Sequence, residues 1–176
     1  PFALTIVSAY NLTRYFEKAK YGTYKQILFV FTTLQVVFTA GLPQVFTYFL
    51  PRFTPGQGKK LVNSVNRLFI LLGLIFSLFL FLISDLIAEL LKNPELSIGL
   101  KIFSPFPLFT IPALGVEGIY TALKKTKSIL IYQVVSKSLM LLFIVLPVIV
   151  FHGSYRTAII GWGIASFLTF LVAIYM

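Results

Sequence analysis

Apolar, charge-poor residues run in five long stretches, 27–50, 68–91, 102–123, 128–151 and 157–176. A bilayer hydrocarbon core about 30 Å thick needs roughly 20 apolar residues in a helix that rises about 1.5 Å per residue, so each stretch predicts one transmembrane helix. Lipid offers the backbone no hydrogen-bond partner, and period-two alternation is absent, which leaves helices and removes a barrel. The links between stretches, 51–67, 92–101, 124–127 and 152–156, each carry at least one basic residue. Their shortness predicts antiparallel neighbours. Residues 2–10 are apolar but too short to cross, and read as the last turns of a helix whose beginning is missing. The expected fold class is an all-α, polytopic transmembrane helix bundle with five complete spans plus the end of a sixth, residues 1–176 forming a single bundle. The last stretch stops at Ile174, Tyr175 and Met176 with no polar flank, so both ends look cut. The alternative is a mature protein that lost Met before Pro1 and ends at a membrane face.

Composition supports the membrane reading: 58% of the 176 residues are hydrophobic and 11% charged, with a mean hydropathy of +0.92. Fifteen Lys and Arg against five Asp and Glu give a formal net charge of +10. On a soluble chain that excess would suggest nucleic acid; here most of the 19 Phe lie inside apolar runs rather than beside the cations, so anionic lipid is expected and nucleic acid is not. With no Cys, and one His at position 152, disulfides, thiolate metal sites and histidine metal clusters are excluded. No cofactor is expected. The amino end has no basic region and too short an apolar run for a cleavable signal peptide. The positive-inside rule ties: Arg52, Lys59, Lys60, Arg67, Lys124, Lys125 and Lys127 fall on one side, and Arg14, Lys18, Lys20, Lys25, Lys92, Lys101 and Arg156 on the other. Only the density of cations, with no acid among the first seven, favours residues 51–67 as cytoplasmic.

The stretch Gly41-Leu42-Pro43-Gln44-Val45-Phe46-Thr47-Tyr48-Phe49-Leu50-Pro51-Arg52 resembles the lipid-linked oligosaccharide flippases of bacterial polysaccharide synthesis. Leu12-Thr13-Arg14 followed by Tyr21-Gly22-Thr23-Tyr24 is similar to the exit of that family's first helix and the start of its second. Ile87-Ala88-Glu89-Leu90-Leu91-Lys92-Asn93-Pro94-Glu95-Leu96 and Leu123-Lys124-Lys125-Thr126-Lys127 resemble two of its later connections. The resemblance covers nearly the whole chain through loose, compositional motifs, and extends to a wider exporter superfamily with multidrug antiporters and lipid II flippases. It implies two six-helix bundles rocking about a central cavity, of which this chain is the amino-terminal lobe, with a carboxy-terminal lobe absent here. It also implies a location in the cytoplasmic (inner) membrane, with residues 51–67 in the cytoplasm.

An ionisable residue inside a span costs roughly 2.5–3.5 kcal/mol on insertion scales, so each needs a partner, a wet cavity or a route to the surface. Lys137 is the deepest, about 14 Å along its predicted helix, too far for its stem alone to reach the headgroups. Gln133, Ser136, Lys137 and Met140 share one helix face. Three readings stand side by side: Lys137 faces the cavity and attracts the phosphate of a polyprenyl-diphosphate-linked sugar, it forms a structural ion pair with Glu117 of the preceding helix, or it faces lipid. The first two are compatible, because a cavity pair could exchange its carboxylate for a phosphate. A Glu117 buried alone would be an ion-coupling candidate that carries a proton. Thr32, Gln35 and Thr39 share a face before the Gly41-Leu42-Pro43 interruption, which makes Gln35 and Thr39 cavity candidates. Arg14, at the mouth of the remnant first helix, suits a sugar phosphate or a lipid headgroup. Asp85 and Glu89 read as a solvated helix end, the prolines at 105, 107 and 112 as hinges or as kinks that shape the bundle, and Gly161, Ala165 and Thr169 as a close-packing stripe.

The expected function is transport of a lipid-linked anionic sugar by alternating access, with the lipid bilayer as surroundings and no catalytic residues. A multidrug antiporter would favour acids in its cavity, and a non-transporting scaffold would not need polar helix faces. A sugar-phosphate transferase needs clustered acids to hold a divalent metal, and residues 51–67 contain none.

Overall fold

A computed structural model describes residues 14–150 and 154–175, and among them every regular element is a helix. In chain order these are α1 (Lys18–Thr39), α2 (Gln44–Phe49) with a 3-10 turn (Leu50–Arg52), α3 (Pro55–Leu90), α4 (Pro94–Phe103), α5 (Pro107–Ala122), α6 (Thr126–Val150) and α7 (Tyr155–Tyr175). Three of them, α3, α6 and α7, are each long and apolar enough to cross a bilayer. Two further crossings are bent pairs: α1 turns by 40° into the segment Pro43–Arg52, and α4 turns by 59° into α5. Counting each bent pair as one span recovers the five predicted from apolar run length. The expected end of a sixth span, residues 2–10, and His152 lie outside the described residues, as do Leu12 and Thr13.

Each break has a chemical cause. At the first, Ala40 and Gly41 both take left-handed backbone, φ 43° and 76°, and Pro43 brings no N–H to continue the ladder. The Thr39 carbonyl is taken instead by the Leu42 N–H at 2.7 Å. At the second, Pro105 removes the donor that would meet the Lys101 carbonyl, and the Ser104 hydroxyl fills the vacancy at 2.8 Å.

Two of the predicted links are not open loops. Most of 51–67 is helical: Thr54 and Gln57 form a capping box with Pro55 in the first turn, and this start signal lies before the apolar run. The resulting 36-residue α3 is roughly 54 Å long and overshoots a core of about 30 Å, leaving its polar first turns beyond the lipid. Residues 92–101 are largely α4, where Leu96 and Leu100 are fully buried. Pro94 in the first turn and Glu95 behind it explain why a basic link nonetheless winds into a helix.

Packing centres on Phe31, whose ring stacks on Phe76 (5.6 Å, 6°) and meets Phe103 at 4.9 Å and Trp162 at 5.4 Å. Helices in lipid associate through close van der Waals fit, because the tails are as apolar as the side chains. The α6–α7 seam achieves this at Gly161, where a β-carbon would collide with the Phe143 carbonyl. Pro147 lacks the N–H that would hold that carbonyl in the helical ladder, so it stands toward α7. Outside the bundle, Leu71, Leu74, Leu78 and Leu82 lie exposed on α3. Such a face suits lipid and not water.

Candidate functional site

Four helices, α1, α5, α6 and α7, leave a cleft of about 290 Å³ between them. Gln35 from α1, Glu117 from α5, and Gln133 and Lys137 from α6 all line it. Four of the six residues expected in the cavity from sequence are thus brought together. Thr39 is buried, is not part of the lining, and gives its hydroxyl to the Gln35 carbonyl at 2.8 Å, a bond within its own helix. Arg14 is exposed and stands away from the cleft.

The polar stripe of α6 follows from its spacing: Gln133, Ser136, Lys137 and Met140, three and four apart, all fall on the cleft side. Lys137 is the twelfth of the 25 residues of α6, about 17 Å from the start of the helix at 1.5 Å per residue. It is half-buried, and Glu117 is exposed to the cleft. These two are the charged residues of the lining. They do not pair with each other. The ion pairs among the described residues are Glu17–Lys20 at 3.2 Å and Asp85–Lys101 at 2.8 Å. The Glu117 carboxylate instead accepts the Gln133 side-chain amide at 3.3 Å. The structural Lys137–Glu117 ion pair is therefore not formed, and Glu117 is not buried alone.

Neighbouring groups hold this arrangement. The buried Tyr132 hydroxyl donates to the Ala113 carbonyl at 3.3 Å and ties α6 to α5 beside the cleft. On α7, Trp162, Ser166 and Thr169 recur at spacings of four and three and form the opposite wall. The Trp162 ring lies 5.4 Å from that of Phe31, and both rings line the cleft. Ser136 and Thr169 are 8% and 7% exposed; the Ser136 hydroxyl has that of Tyr132 beside it, and the Thr169 hydroxyl oxygen has no protein partner. Leaving a buried hydroxyl unbonded costs about 1–3 kcal/mol, so the α6–α7 wall carries hydrogen-bonding capacity in surplus. Sequence reasoning assigned Thr169 to a packing stripe with Gly161 and Ala165 and passed over Trp162 and Ser166, so it missed the α7 side of the cleft. The aromatic-hydroxyl stripe Trp162, Ser166 and Thr169 was the available signal.

Asp85 and Glu89 do not join the cleft. Both carboxylate oxygens of Asp85 receive the Lys101 ammonium at 2.8 Å, and Ser97 also donates to Asp85. The group fastens α3 to α4.

A family model described as polysaccharide biosynthesis protein matches residues 2–176. No curated protein and no solved structure matches the chain.

Proposed function

Because the chain belongs to the polysaccharide biosynthesis protein family, we propose that this membrane protein is a carrier that moves a polyprenyl-diphosphate-linked oligosaccharide across the cytoplasmic membrane by alternating access. The observation that carries the proposal is Lys137: a cation near the middle of a membrane helix, lining a cleft, with no carboxylate paired to it. A charge at that depth is retained for a ligand or a pathway, since it costs several kcal/mol to insert. Its natural complement is an anion. A diphosphate supplies that charge, while the attached lipid tail stays in the bilayer alongside the exposed apolar flanks of the bundle.

The remaining lining suits a glycosyl head. Gln35 and Gln133 offer amides, Ser136 and Thr169 offer hydroxyls, and Trp162 presents an aromatic ring to the same space. No bond is made or broken in this role, so it is transport without catalysis. The two bends, at residues 40–43 and 104–106, provide places where the bundle can flex as the cleft changes the face it opens to. A second lobe of the same protein would complete the cavity opposite this one.

The test is the distribution of the lipid-linked sugar. In cells lacking the protein, the sugar lipid should accumulate in the leaflet where it is made, and supplying the protein should clear it. An unchanged distribution between the leaflets would reject the carrier.

A further inference from the structure

Two opposite charges line one cleft and stay unpaired, although opposite charges at close range attract. Glu117 and Lys137 are in this position, and Glu117 has another partner. The Gln133 amide holds the Glu117 carboxylate at 3.3 Å. Gln133 and Lys137 are four residues apart on α6 and therefore share a face. A helical side chain lies over the turn before its own Cα, which directs the Lys137 stem back toward Gln133 and toward the level of Glu117. The carboxylate lines the same cleft as the lysine and is engaged by a neutral amide.

We propose that Gln133 is a positioning residue that keeps Glu117 from neutralising Lys137, so that the cleft's cation stays open to an incoming diphosphate. This rests on the carrier reading given above and goes beyond it, because it assigns Gln133 an action on Glu117 that is separate from any contact with the glycosyl head. The amide suits the task. It carries no charge to compete for the anion, and it satisfies the carboxylate by donation. With Gln133 removed, Glu117 is free to turn onto Lys137 and form the ion pair that the present arrangement prevents. The diphosphate must then compete with a resident carboxylate.

The 176-residue chain contains one tryptophan, Trp162, and it lines this cleft, so its emission reports occupancy. The chain is placed in phosphatidylcholine nanodiscs, which bring no anionic headgroup, and titrated with a polyprenyl diphosphate that bears no sugar. The expected result is binding about fivefold weaker in Gln133→Leu, the scale of one solvent-accessible ion pair. Adding Glu117→Gln to that variant should return the affinity to the wild-type value, because no carboxylate remains to occupy Lys137. Wild-type affinity in Gln133→Leu would overturn the proposal. So would a loss that persists in the double variant, which would mark Gln133 as a direct contact or a packing residue. Lys137→Met separates the two levels: if it binds as the wild type does, the anion reading itself fails and this proposal falls with it. If Lys137→Met binds weakly while Gln133→Leu is unaffected, only the role of Gln133 is rejected.

Discussion

The side-chain amide of Asn93 lies 2.7 Å from the Gln26 side-chain oxygen and 3.0 Å from the Thr23 hydroxyl. One residue in the turn between α3 and α4 thereby fastens both helices to α1. It fastens them at the end of the bundle where α1 begins, on the side away from the basic elbow at Arg52.

Replacing Asn93 with Leu removes both bonds and leaves two partly buried polar groups without their donor, which should cost about 1–3 kcal/mol. Asn93→Asp should cost less than half as much, because Gln26 can turn its amide to donate to the new carboxylate. Thermal unfolding midpoints in detergent distinguish the two. Equal losses would mean that shape, not hydrogen bonding, sets the contribution of this residue.

Gly161 is the tightest point of the α6–α7 seam. Gly161→Ala places a methyl group against the Phe143 carbonyl and should destabilise the bundle by about 1–3 kcal/mol, as overpacking does. The neighbouring Ile160 is exposed, and Ile160→Ala should leave the unfolding midpoint nearly unchanged. A tolerant Gly161 would show that the two helices do not approach as closely as described.

Orientation can be read directly, because the chain has no native cysteine. Lys59, Lys92 and Lys125 are all exposed. A membrane-impermeant maleimide added to intact cells should label Lys92→Cys and should not label Lys59→Cys or Lys125→Cys, the outcome expected if the denser cluster of cations faces the cytoplasm. The reverse pattern would invert the topology.

Much of this was legible in the sequence, for reasons that differ by residue. Apolar run length located the crossings, because a bilayer imposes one length on every helix. It could not mark where helices begin outside the lipid: α3 starts at Pro55 through the Thr54–Gln57 capping box, well before the apolar run. Nor did it mark that two crossings are bent; the Gly41-Leu42-Pro43 interruption and the prolines at 105 and 107 did, although the direction taken there depends on backbone angles and neighbours. At the cleft, the depth of Lys137 and its shared face with Gln133 followed from helical periodicity. The partner of Glu117 did not, because the choice between Lys137 and Gln133 is made by side-chain rotamers across two helices. Thr39 shared a predicted face with Gln35 and Thr32, yet it lies at the last residue of α1, one turn beyond Gln35, and is buried outside the cleft lining.

Lys137 is the residue on which the carrier account depends most. The direct measurement is the rate at which a lipid-linked oligosaccharide crosses the membrane in cells that carry Lys137→Ala or Lys137→Arg, with each variant shown to be inserted at wild-type levels. The account predicts at least a tenfold loss of crossing in Lys137→Ala, the equivalent of about 1.4 kcal/mol, and substantial retention in Lys137→Arg, which keeps the charge. Undiminished crossing in Lys137→Ala would contradict it.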